Sequence, residues 1–334
     1  MLPPLIESLG LTDPGVYLCL FLVASLLMLW RLEAMLDHGL EGTALGTILM
    51  PYCSGLGNVL FVFILTRQGG APVEALTNSL VNNVTTLTLL LGLPAVLWGL
   101  QVTGGGAGGG KARGKTASAN VGAQIDRLSL MLTITAVLFF TGATWLLAED
   151  GQLTRTDGLL LIGLFLFWQT FQVFDVLKHN VRQKISYRLM FYVDIALVLL
   201  SAWLLYESID WLVAWISAQK TGFLSVDNLG WLSGWLMVLP NALLALYWGR
   251  KRRADIVYSS QVGDGHICIP LCLGILAVLT PVAVPPFFMT GLWLILGAVV
   301  AHAGFLLLYG GLPRWAGGVL LVSYAWFVWA GWSG

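Results

Sequence analysis

The strongest constraint on the fold is a succession of apolar stretches, at 16–36, 43–66, 74–100, 127–148, 157–177, 189–217, 228–249, 256–283, 286–309 and 315–332. Each is long enough for a helix to cross a hydrocarbon layer of about 30 Å, which takes about 20 residues at 1.5 Å apiece. With 57% apolar and 10% charged residues in 334, the chain lacks the polar surface to cover a water-soluble globule. The expected class is all-α: a polytopic membrane protein of ten transmembrane helices in contact with membrane lipids. A formal net charge of zero gives no reason to expect a nucleic acid partner. Cys19, Cys53, Cys268 and Cys272 all fall in apolar stretches, so no disulfide framework is expected, and each reads first as a small buried hydrophobe. The opening MLPPLIESLGLTDPG has acids and prolines but no basic residue, which argues against a cleaved signal peptide.

Basic residues set the orientation. Placing the amino terminus outside leaves only Arg67, Arg155 and Lys220, of 17 basic residues, on the outer face. Both termini are then outside, as expected for a bacterial cytoplasmic (inner) membrane protein. LLMLWRLEAMLDHGLEG near Leu26 and WLLYESIDWLVAWISAQKTG near Trp203 look alike and stand five helices apart, so the copies enter the membrane from opposite faces. That pattern predicts two inverted five-helix repeats, 1–178 and 179–334, with interrupted helices and a binding site at the midplane. The glycine-rich stretch 103–120 reads as a flexible cytoplasmic linker. Its formal match to a phosphate-binding loop, Gly109 to Thr116, lacks the strand and helix such a loop requires.

Within the eighth stretch, VGDGHICIPLC (Val262–Cys272) places an acid and an imidazole between glycines. Asp264 would lie about 12 Å into the layer, where a carboxylate costs on the order of 3 kcal/mol unless it faces a wet cavity or a partner. An ion pathway is the functional reading; a structural one would need a buried cation near midplane, and no span supplies a lysine or arginine there. Asp264, Cys268 and Cys272 share one helical stripe. Other intramembrane polar residues gather at Ser54 and Asn58 in the second span, Asn78, Asn82, Asn83, Thr85 and Thr86 in the third, and Pro240-Asn241 in the seventh. Proline and glycine there are expected to break the helices and expose half-helix ends to a cation.

GLEGTALGTILMPYCSGLGN followed by ALTNSLVNNVTTLTLLLGL resembles the first alpha-repeat of the sodium/calcium exchangers of the calcium/cation antiporter superfamily. LMVLPNALLAL and SSQVGDGHIC resemble its second repeat more faintly. The resemblance implies a five-plus-five inverted fold with the amino terminus outside. Carried over by position, Asn58 and Asn241 stand where the family has ligand glutamates, and Asn82 and Asp264 where it has serines. Thr86 and Cys268 match a later Asn/Asp ligand, and Ser54 keeps one hydroxyl. Asp264 is then the sole fixed anion of an atypical site, whereas calcium prefers several carboxylate oxygens.

The expected function is a secondary active cation exchanger using alternating access, with inorganic cations and protons as its partners, no resident cofactor and no enzymatic chemistry. The alternative is a non-transporting membrane sensor or accessory protein that keeps the fold. His266 is a candidate proton relay, since an unperturbed imidazole titrates near neutrality, or else a satisfied hydrogen-bonding residue. The asparagines are candidate ligands or else amide bridges between helices. A soft-metal site from Cys53, Cys268 and His266 is the lesser reading, and ordinary packing of those side chains the preferred one. Asn58, Asn82, Asn241 and Asp264 are expected to converge on one pocket.

Overall fold

The computed structural model describes residues 13–37, 50–102, 116–180 and 189–333. Its helices are α1 Pro14–Asp37, α2 Met50–Arg67, α3 Pro72–Trp98, α4 Thr116–Leu147, α5 Arg155–Asn180, α6 Leu189–Ala218, α7 Leu229–Arg250, α8 Ala254–Leu279, α9 Pro286–Tyr309 and α10 Arg314–Ser333. Eight of them are long and apolar enough to cross a membrane by length and composition. α2 has a shorter apolar part, Tyr52–Arg67, and α10, which mixes Gly, Ser and Trp into its apolar run, is not among the eight. Residues 43–49, expected to open the second span, and 103–115 of the glycine-rich stretch lie outside the described residues. Residues 116–120, read as linker, form the first turns of α4 instead.

α3 and α8 form the centre: 78% of the most apolar window of each is buried, against 39% for α1, α4 and α9. Around them α1 packs along α6, α7 and α10 pack on α3, α2 and α5 on α8, and α4 on α9. The closest approaches need glycine. A Cβ on Gly317 of α10 would stand 2.7 Å from the carbonyl oxygen of Gly92 in α3, and one on Gly158 of α5 would stand 2.7 Å from that of Gly274 in α8. Such contacts between small residues let membrane helices approach closely enough for dispersion to hold them.

Two antiparallel ladders close the ends. β1 (Leu100–Gln101), just after α3, pairs with β4 (Gly311–Leu312), between α9 and α10. β2 (Gln152–Leu153), between α4 and α5, pairs with β3 (Val282–Ala283), just after α8.

The two central helices each contain a π-helical turn, at Thr85–Leu89 in α3 and Cys268–Cys272 in α8. In α8 the cause is Pro270, which has no N–H to donate and crowds the preceding turn. In α3, Thr85 and Thr88 donate their hydroxyls to the carbonyls of Val81 and Val84, competing with the backbone ladder. A residue from another helix bonds a carbonyl in each turn. His302 Nε2 lies 2.7 Å from Leu87 O, and the Ser79 hydroxyl donates to Cys268 O at 2.7 Å. The expected breaks at glycine and proline therefore appear in α3 and α8 as π turns, while Gly263 and Gly265 sit in regular helix and Pro240 lies inside a continuous α7.

Candidate polar centre between the four middle helices

Asp264 lies about 15 Å from the start of α8 at 1.5 Å per residue, near mid-helix, and is fully buried. Its Oδ2 accepts a hydrogen bond from Asn82 Nδ2 of α3 at 2.5 Å. The same amide nitrogen is 3.4 Å from Cys268 Sγ, one turn along α8. The Ser54 and Cys268 side chains are the other polar groups against the carboxylate, and Cys272 continues the stripe beside Cys268. Four of the expected site residues, Asp264, Asn82, Cys268 and Ser54, are thus brought together by α8, α3 and α2.

Asn241 of α7 joins them through a small cavity of about 20 Å3, room for roughly one water-sized occupant, whose wall includes Ser54, Cys53, Gly57, Ser25 and Asn241. Its other side is built by Phe21 and Met28 of α1 and Leu205 of α6. The four acidic and amide residues do not share this pocket as expected: Asp264 and Asn82 are wholly buried, joined to its wall through Ser54. Asn58 is also fully buried, and neither of its amide atoms has a hydrogen-bond partner. Thr86 is buried with its hydroxyl donating to Asn83 O in its own helix.

The buried polar atoms here that lack hydrogen-bond partners are mainly oxygens: Oδ1 of Asn58, Asn78, Asn82, Asn83 and Asp264, and Oε1 of Gln261. Buried oxygens without donors are costly in a protein interior unless they face a cation or water. Asn78 and Gln261 are otherwise engaged with α7, Asn78 Nδ2 donating to the Ser233 hydroxyl and Gln261 Nε2 to the backbone oxygen of Asn241.

His266 does not join Asp264. Two residues on a helix are about 200° apart, and His266 Nε2 instead lies 3.0 Å from Thr133 O of α4, its ring between Phe140 and Trp168. Cys53, Cys268 and His266 form no soft-metal trio: Cys53 lines the cavity, Cys268 faces Asn82, and His266 faces α4. Among the described residues no three His, Cys, Asp or Glu side chains gather as a metal cage. Sequence reasoning did not single out His302, which sits between Tyr258 and the π turn of α3. A lone histidine in the apolar run of α9 was the available signal. Asp194, near the start of α6, is fully buried and 3.4 Å from Arg31 of α1.

Among curated proteins none matches the chain in sequence. Solved structures of the sodium-calcium exchanger NCX_Mj share its fold. The form soaked with 2.5 mM Na+ and 10 mM Sr2+ gives a TM-score of 0.65 at 15% identity over 97% of this chain and 98% of that chain. The form soaked with zero Na+ and Ca2+ gives 0.65 at 14% identity over 95% and 98%. Residues 15–174 match the family described as sodium/calcium exchanger protein. Over α1 to α5 the chain is thus similar to sodium/calcium exchanger proteins, and nearly its whole length shares the NCX_Mj fold.

Proposed function

We propose that this chain is a secondary cation exchanger whose ions pass through the Asp264 centre by alternating access. One observation carries the reading: a fully buried carboxylate, held by Asn82 and flanked by Ser54 and Cys268, stands among helices whose donor-less buried atoms are mainly oxygens. That arrangement suits a cation that sheds its water. Asp264 supplies the charge, Asn82, Ser54 and Cys268 the nearest polar atoms, and Asn241, Asn58 and Thr86 the further ligand positions of the two repeats. Phe21 and Met28 of α1 and Leu205 of α6 line one side of the cavity, which supports movement of these two helices as the step that opens and closes access.

The proposed architecture is ten spans in two inverted repeats, 1–178 and 179–334, with both termini outside a bacterial inner membrane. Internal correspondence supports it. Adding five to each helix number turns the α3–α10 contact into α8–α5, α3–α7 into α8–α2, and α4–α8 into α9–α3, all of which occur. The π turns, the glycine pairs Gly92–Gly317 and Gly274–Gly158, and the two ladders obey the same exchange.

Tracer flux in proteoliposomes tests the function. Uptake of a mono- or divalent cation against a counter-gradient, lost in Asp264→Asn, is the expected result. A wild type silent across Na+, K+, Ca2+, Mn2+ and H+ would overturn the exchanger reading and favour a non-transporting sensor or accessory role.

A further inference from the structure

The charge count at the polar centre limits what it can carry. Asp264 is the carboxylate there, and among the described residues no three His, Cys, Asp or Glu side chains gather as a metal cage. Asn58 and Asn241 present neutral amides, buried to 0% and 2% exposure. Cys268, as a thiol, ordinarily adds no charge at pH 7. A divalent ion against one carboxylate leaves a full positive charge in a site shut off from water, an arrangement proteins pair or avoid. A monovalent ion leaves none. The other oxygens beside the carboxylate, Asn82 Oδ1 and Ser54 Oγ among them, are neutral dipoles of the kind that suffices for a monovalent ion.

The present partner of the carboxylate has the same electrical sense. Asn82 Nδ2 turns the positive end of its amide onto Asp264 Oδ2 at 2.5 Å, while Asn82 Oδ1 is left without a donor. Half a turn of that amide about its last torsion exchanges donor for acceptor. The carboxylate then loses one partial positive charge and gains room for a whole one, with the amide oxygen aimed at the newcomer. Asn82 is in this sense a positioning residue whose two orientations serve the two conditions of the site.

We propose that the Asp264 centre takes a single monovalent cation, with the Asn82 amide reversing to admit it, and therefore exchanges charge for charge without moving net charge across the membrane. The proposal rests on the exchanger reading and narrows its substrate class. No bond is made or broken: one cation leaves the carboxylate on one face and another, or a proton, takes its place.

The experiment uses the full-length protein in proteoliposomes, with tracer uptake of Na+, Rb+ and Li+ compared with Ca2+, Mn2+ and Cd2+, with and without an imposed potential of about 100 mV. Asp264-dependent uptake of at least one monovalent ion is expected, with divalent uptake at least tenfold lower. Its accumulation ratio should not respond to the potential, because a carrier moving one net charge would shift that ratio about fifty-fold per 100 mV. Asp264-dependent uptake of a divalent ion at a comparable rate, or a ratio that follows the potential, overturns the charge inference and leaves the exchanger reading standing. No Asp264-dependent movement of any ion overturns both. The wild-type ion panel and the potential response do not depend on whether Asp264→Asn folds, so either can refute the inference alone. For Asn82, the expected signature of Asn82→Leu is a loss of monovalent affinity of at least tenfold with Asn82→Gln retaining part of it; equal loss in both variants, matched by equal loss of folded protein, overturns the amide reversal.

Discussion

Asp264→Asn should separate function from stability. The change keeps the side-chain shape and removes the charge. At an ion–oxygen distance of about 2.5 Å and an effective dielectric of about 20, a unit charge pair is worth about 7 kcal/mol. An amide oxygen returns part of that attraction; if it returns about half, roughly 3 kcal/mol is lost, more than a hundredfold in affinity. The folded protein should barely register the loss. What weakens is the charge-assisted bond from Asn82, worth about 1.5–3 kcal/mol net, with smaller losses at Ser54 and Cys268. What is relieved is the burial of a carboxylate whose Oδ1 has no donor, a cost of several kcal/mol. The two offset, so the unfolding midpoint in detergent should move by no more than about 3 °C, or rise. Tracer binding and the fluorescence unfolding midpoint, measured on the same preparation, check this. Ion binding unchanged within threefold, or a midpoint lowered by about 10 °C or more alongside lost binding, would refute the reasoning.

Arg31→Met takes away a cation 3.4 Å from the buried Asp194 carboxylate and should lower the unfolding midpoint, with Arg31→Lys recovering part; thermal unfolding of both variants decides it. His302→Leu leaves Leu87 O without its donor and should cost about 1–3 kcal/mol, with His302→Gln recovering part, read by the same assay. Gly158→Ala and Gly317→Ala each press a methyl group onto a facing backbone, and both should cost about 1–3 kcal/mol; a neutral result at either would contradict the close helix contact. His266→Gln should leave the pH dependence of transport unaltered, since the ring faces Thr133 O and not the carboxylate; a flattened profile would restore the proton-relay reading.

The helices and their approximate limits were legible because lipid exposure demands unbroken apolar runs. The partnership of Asp264 with Asn82 was legible in outline, since an acid placed mid-run must find polar company and the asparagines of α3 were the densest supply. The direction of His266 was also legible in principle: the helical period alone turns it away from Asp264. Other features depend on three-dimensional register. Nothing local marks Thr85–Leu89 as a π turn, because its threonine-to-carbonyl bonds occur in regular helices too. Arg31 and Asp194 lie 163 positions apart, and only the packing of α1 on α6 turns two end-of-helix charges into a buried pair. Glycine-to-glycine contact across α3 and α10 required knowing which helices are neighbours.

The two short ladders bear on how the chain is made. β1 waits for β4 and β2 waits for β3, and the groove beside Gly92 in α3 is filled by α10, which is made after the other nine described helices. α3, β1 and β2 are therefore inserted before the partners α7, α8, α10, β4 and β3 exist. A nascent chain stalled after α5 should be a target for membrane proteases, and two separately synthesised fragments cut between α5 and α6 should survive only when produced in the same cell.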